Sequence, residues 1–223
     1  MKKLLLSATI LFGVIGTVRA VDDPIIESTF TPSPANVGNL DHAKYYTWGL
    51  SNYSIPANYN ITEAVLTFHG INNWTAAENN GQNWLHIWLF DSVRNQSDAP
   101  TGTLTVFNDS DGGGDNFAGS SLNWSAAKAP IGTYTDYNGG PGGDVIDLSY
   151  TFSSGLLAEL TDYINHGHDF GLGFDPDCHY DNSGVELKLT LTDPPPAPDG
   201  GTTFLLLGIS LFALPVIKRL RRA

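Results

Sequence analysis

The residues with most potential for chemistry lie near the C-terminal end of the presumed domain, in Asp175-Pro176-Asp177-Cys178-His179-Tyr180-Asp181-Asn182. Calcium is bound by six to eight oxygens, and Asp175, Asp177 and Asp181 could supply several of them, with backbone carbonyls completing the shell. A plain turn between strands is the competing reading. Cys178 and His179 also raise zinc, but neighbouring side chains diverge and the chain has a single cysteine, which argues against it. A second acidic loop, Asp109-Ser110-Asp111-Gly112-Gly113-Gly114-Asp115-Asn116, spaces Asp109, Asp111 and Asp115 for a hard cation. Its glycine run breaks the EF-hand pattern, and a solvated loop is the alternative there.

His166 and His168 flank Gly167. They could hold a transition metal or move a proton with Asp162 or Asp169, but they also suit a helix end, where a protonated imidazole is mildly favoured. No Gly-x-Ser-x-Gly elbow, His-Glu-x-x-His helix or phosphate-binding glycine loop is present. Paired carboxylates for glycoside cleavage have no recognisable signature either, so an enzyme is left open without assigned catalytic residues.

Aromatic residues offer a different chemistry, since exposed rings stack on sugar faces. Trp74 and Trp124, set among Asn, Thr and Ser, are the candidate platforms. Trp84 and Trp88 share a strand face and are expected to fill a core.

These residues must be positioned by strands. Ile61 to Ile71 alternates Ala64, Leu66 and Phe68 against Val65, Thr67 and His69, and Val185 to Leu191 alternates leucines with polar residues, the pattern of a half-buried edge or outer strand. Trp84 to Phe90 is apolar on both faces, which places it centrally between sheets or under a loop. Further strands are expected around Ile25 to Phe30, Ala43 to Leu50, Thr103 to Phe107, Ile131 to Thr135, Val145 to Phe152 and Asp169 to Phe174. Ser153 or Ser154 caps one helix over Leu156, Leu157, Leu160 and Ile164, ending near Asn165 to Gly167. Many strands and one helix predict a mainly β fold, an antiparallel β-sandwich of jelly-roll type spanning residues 21–192. Its late order of strand, helix, strand, acidic loop and strand resembles secreted carbohydrate-binding or adhesion sandwiches.

Composition sets the surroundings of this domain. Residues 21–199 hold all 23 acidic residues and four basic ones, Lys44, Arg94, Lys128 and Lys188, a formal charge of 4 − 23 = −19. Such a field excludes nucleic acid as a natural partner, because phosphate binding requires neutralising cations. Divalent cations are better suited.

The two ends concern delivery. Lys2-Lys3, the apolar run Leu4 to Val18 and Val18-Arg19-Ala20 have the layout of a signal peptide over residues 1–20, with an N-terminal anchor as the alternative. Residues 193–201 form a Pro/Gly linker. The uncharged run 202–217 spans about 24 Å as a helix, and Gly200, Gly201 and a snorkelling Lys218 bring it close to a hydrocarbon core of about 30 Å. Lys218, Arg219, Arg221 and Arg222 in the tail 218–223 belong on the cytoplasmic side.

Pro198-Asp199-Gly200-Gly201, the apolar run and the basic finish together resemble the PEP-CTERM sorting signals, in the variant form that has Pro-Asp-Ser-Gly or Pro-Asp-Gly-Gly in place of Pro-Glu-Pro. The resemblance covers residues 197–223. It implies recognition by an exosortase-like membrane protease, an inner-membrane single-pass precursor, and release toward the cell surface or extracellular matrix. A permanent anchor is the alternative. The resulting expectation is an exported surface or matrix protein that binds glycan, such as extracellular polysaccharide, or adheres; a glycan-active hydrolase or lyase is the alternative.

Overall fold

The computed structural model describes residues 24–35, 37–74, 83–93, 102–109, 117 and 127–193. Among them are ten strands: β1 (Ile26–Phe30), β2 (Lys44–Ser51), β3 (Asn60–Asn73), β4 (Trp84–Phe90), β5 (Thr103–Asn108), β6 (Lys128–Thr135), β7 (Ile146–Thr151), β8 (Asp169–Pro176), β9 (Tyr180–Asp181) and β10 (Gly184–Thr192). One helix, α1 (Ser154–Gly167), lies between β7 and β8. The signal-peptide segment, the linker beyond Asp193, the sorting motif, the apolar run and the basic tail, with Trp124, Asp111 and Asp115, lie outside the described residues. No helix among the described residues is long and apolar enough to cross a membrane.

The protein is mainly β, and the described strands all pair antiparallel. One sheet runs β1-β10-β3-β7, with β9 added at the end of β3; the other runs β5-β2-β8-β4-β6. Alternation decides which side chains meet between them. Ala64, Leu66 and Phe68 of β3 and Leu187, Leu189 and Leu191 of β10 join Leu85, Ile87 and Leu89 of β4 and Phe170, Leu172 and Phe174 of β8 in one core. Phe68 and Phe174, one from each sheet, meet edge to face at 5.2 Å.

β10 pairs with β1 on one side and β3 on the other, so it is an interior strand rather than an edge. Its alternation marks a solvent-facing sheet surface, where Lys188 pairs with Glu27 at 2.7 Å. Alternation reports which face is wet and says nothing about neighbours along the sheet.

The outer face of β4 is covered, as its two apolar faces called for, and tertiary structure decides by which residues. Tyr45, Phe90, Val93 and Phe117 form a second cluster outside the β5-β2-β8-β4-β6 sheet, with Trp88 and Phe107 packed against it. Phe117 is fully buried and meets Phe90 at 5.1 Å and Tyr45 at 5.6 Å. Trp84 and Trp88 therefore stand on that outer side and not in the main core. Trp84 is 41% exposed.

The helix begins where expected, with the Ser153 hydroxyl accepting from the Leu156 amide at 3.3 Å. It ends at Gly167, within the stretch the sequence suggested, but the residue that turns left-handed is a histidine rather than an asparagine or glycine. His168 takes the left-handed conformation at φ 57°, and its amide donates to the Ile164 carbonyl at 2.9 Å. Leu160, Tyr163 and Ile164 face the core.

Candidate functional site

The ends of β3, β6 and β8 and the start of β4 meet at one end of the two sheets, and the polar residues gather there. Asp136, just after β6, is buried, and its carboxylate accepts the Asn73 amide at 2.9 Å and the Asn138 amide at 2.8 Å. The Asn83 side chain donates to the Asp136 carbonyl at 3.4 Å. Tyr180 is fully buried, and its hydroxyl donates to the Asn83 carbonyl. Burial drives that phenol far above its ordinary pKa, helped by the charges near it. Tyr134 beside it is raised to about 12, by burial first and then by the Asp136 carboxylate.

This framework presents an aromatic surface. Trp74 is 58% exposed and Tyr137 is 76% exposed, and Trp84 belongs to the same end. Backbone bonds tie their segments to the loop between β8 and β9: the Trp74 amide donates to the His179 carbonyl at 2.9 Å, and the Asp177 amide to the Trp84 carbonyl at 2.8 Å. The Trp74 ring lies edge-on to the His179 imidazole at 5.2 Å.

The acidic residues of the β8–β9 segment go different ways. Asp175 is fully buried on β8, opposite His86 of β4. Asp177 is held near the same histidine, with its carboxylate 3.8 Å from His86 Nε2. Asp181 is exposed on β9, opposite Asn72. Cys178 is buried and donates to Asn73 Oδ1 at 3.4 Å. Asn72 Oδ1, Asn83 Oδ1 and Asp177 Oδ1 are buried oxygens with no hydrogen-bond partner among the described residues. Asp109, at the start of the other acidic loop, donates its amide to the Ala43 carbonyl at 2.9 Å.

His179 finds its companions across the fold rather than in its own segment. Among the described residues, the group of three metal-ligating side chains whose ligand atoms lie within 4.8 Å of one another is Asp41, His42 and His179. Asp41 and His42 lie in the β1–β2 connection, and nothing in their local sequence marks them. His166 instead caps its own helix: its Nδ1 is 2.9 Å from the Asp162 carbonyl and 3.1 Å from the Asp162 carboxylate. His168 serves as the helix terminator.

An open groove of about 480 Å³, lined by Ile61, Leu157, Thr161 and Asp162 among others, lies along α1. It faces the start of β3, the opposite end from the aromatic surface, and gathers no set of converging charges.

The described residues thus form a mainly β, two-sheet structure with an aromatic and polar end. Residues 198–221 match the model of the VPDSG-CTERM motif, a sorting signal of the PEP-CTERM kind. That signal implies an exported, surface-directed protein, consistent with processing by an exosortase-like protease. Among curated proteins and solved structures, nothing matches this chain.

Proposed function

We propose that the β domain is a glycan-binding or adhesive cargo, carried to the cell surface or extracellular matrix through its C-terminal signal. The observation that carries the binding reading is the exposure of Trp74, Trp84 and Tyr137 at one end of the sheets, over a hydrogen-bonded polar base. Rings of this kind offer an apolar face to a sugar and a polar edge to its hydroxyls. The domain's strong negative charge directs it toward neutral polysaccharide rather than toward anionic polymers.

With β5 set aside, the sheet orders β1-β10-β3-β7 and β2-β8-β4-β6 support a jelly-roll sandwich of eight strands. On this reading residues 1–20 direct export, 202–217 hold an inner-membrane single-pass precursor, and the exosortase-like enzyme acts near Pro198-Asp199-Gly200-Gly201 before the protein is released. The acidic loop of Asp109, Asp111 and Asp115, and the Asp175, Asp177 and Asp181 segment, are the proposed calcium-binding stretches.

A glycan-array screen of the full chain, alongside Trp74→Ala and Trp84→Ala, tests the binding reading. Capture of neutral polysaccharide that both substitutions weaken supports it. A folded chain that captures no glycan refutes it and leaves a purely structural cargo. For sorting, an epitope placed before Pro194 and followed by cell fractionation separates release from permanent attachment.

A further inference from the structure

We propose that Asp41, His42 and His179 form a site for a borderline divalent transition metal, with zinc as the representative ion. The site is built by backbone pairing. Leu40 and Tyr180 form an isolated antiparallel bridge in which each amide donates to the other's carbonyl, at 2.9 and 3.0 Å. Both side chains are fully buried. Pleating then turns the next residues, Asp41 on one strand and His179 on the other, to the opposite, outer side. They are also a pair without backbone bonds between them, the kind in which side chains stand closest. His42 follows Asp41 and closes the group from the solvent side.

The spacings suit direct coordination. His42 Nδ1 is 3.1 Å from His179 Nδ1 and 3.4 Å from Asp41 Oδ1. Two ligands each about 2.0–2.1 Å from a tetrahedral zinc stand about 3.3 Å apart. Asp41 Oδ1 is also 3.2 Å from His179 Nε2, and the donor atoms of the three side chains lie within 4.8 Å of one another. The metal would take the place of the proton shared by the two Nδ1 atoms.

Two imidazoles and one carboxylate select zinc, copper or nickel over calcium and magnesium, which prefer oxygen alone. Three protein ligands leave at least one coordination position to water or to an incoming group. Asp41 is itself held in place, its carboxylate accepting the Ala43 amide at 3.0 Å and its amide donating to the Tyr46 hydroxyl at 2.9 Å. His179 lies in the same segment as Asp175, Asp177 and Asp181, but the site uses none of those three carboxylates and does not depend on glycan recognition.

Calorimetric titration of the chelator-stripped full chain in mild detergent, with zinc alone as the probe, tests the proposal. One zinc per chain is expected, with affinity lowered more than about tenfold by His42→Ala and by His179→Ala. Calcium in excess should not compete. His166→Ala, which disrupts the other histidine-rich place, should bind as the unaltered chain does. His42 is exposed, so its removal leaves folding intact, which circular dichroism checks. A second readout uses Trp74: copper should quench its emission through the neighbouring His179, and Trp74→Phe should lose that quenching while keeping zinc affinity. Absence of saturable zinc binding, full affinity in His42→Ala, or loss in His166→Ala instead would overturn the assignment.

Discussion

Removing the Asp136 carboxylate should cost more stability than its single position suggests. The side chain is buried after β6 and accepts two backbone amides, those of Asn73 and Asn138. A hydrogen bond to a charged group contributes about 1.5–3 kcal/mol, and an abandoned buried donor costs about 1–3 kcal/mol. Asp136→Ala loses both bonds and strands the Asn73 amide. The buried carboxylate itself carries a desolvation cost, whose removal offsets part of the loss. A net destabilisation of about 3 kcal/mol is therefore expected, a large share of a total of about 5–15 kcal/mol.

Asp136→Asn keeps one acceptor oxygen but turns an amide group toward a backbone donor, so about half that loss is expected. Urea unfolding of both variants, followed by tryptophan emission, gives the difference from the midpoints at constant slope. Asp147 is the control. It accepts the Gly70 amide at 2.8 Å, which holds its carboxyl below the usual range, but it is exposed. Asp147→Ala should shift the midpoint far less. If Asp136→Ala behaves like Asp147→Ala, the Asp136 bonds do not hold the end of β3, and the reasoning about the aromatic end fails with them. If it unfolds at the expected cost, Trp74 and His179 should also lose order, because Asn73 precedes Trp74 and Trp74 is bonded to His179.

Other consequences follow from packing and charge. Gly173→Ala should destabilise by about 1–3 kcal/mol, because an added Cβ overlaps Phe90 and stands 2.8 and 3.0 Å from Phe117; an unchanged urea midpoint would refute the outer cluster. Tyr134, Tyr150 and Tyr163 are raised to about 12, each mainly by burial. Since an unfolded tyrosine titrates near 10, the native state holds the extra protons, and stability should fall as pH rises from about 10 through 12. Absorbance titration should show these phenols ionising with unfolding; ordinary titration near pH 10 in the folded state would contradict their burial. Calcium should raise the melting temperature of the full chain and a chelator should lower it, and no shift in either direction would discard the calcium-binding stretches.

The sequence was readable wherever a local period carried the physics. Ala64, Leu66 and Phe68 alternate along β3, the leucines alternate along β10, and Ser153 caps α1, because inward burial and amide capping are decided within a few residues. The delivery signal was readable for the same reason: Pro198-Asp199-Gly200-Gly201, an apolar run and a basic finish are contiguous. The two apolar faces of β4 called for a cover on both sides, but which residues supply it was not readable. Trp84 and Trp88 sit on the face expected to be inside, whereas Leu85, Ile87 and Leu89 give β4's share of the main core and Phe117 covers Phe90 on the other side.

What the sequence determined by itself was composition and period: an acidic, mainly β chain with one helix and a C-terminal sorting signal. Tertiary structure decided which residues meet. Asp41 and His179 are 138 positions apart along the chain, and no local pattern links them. The Leu40–Tyr180 bridge brings them side by side, because backbone pairing fixes register between strands that the sequence leaves distant.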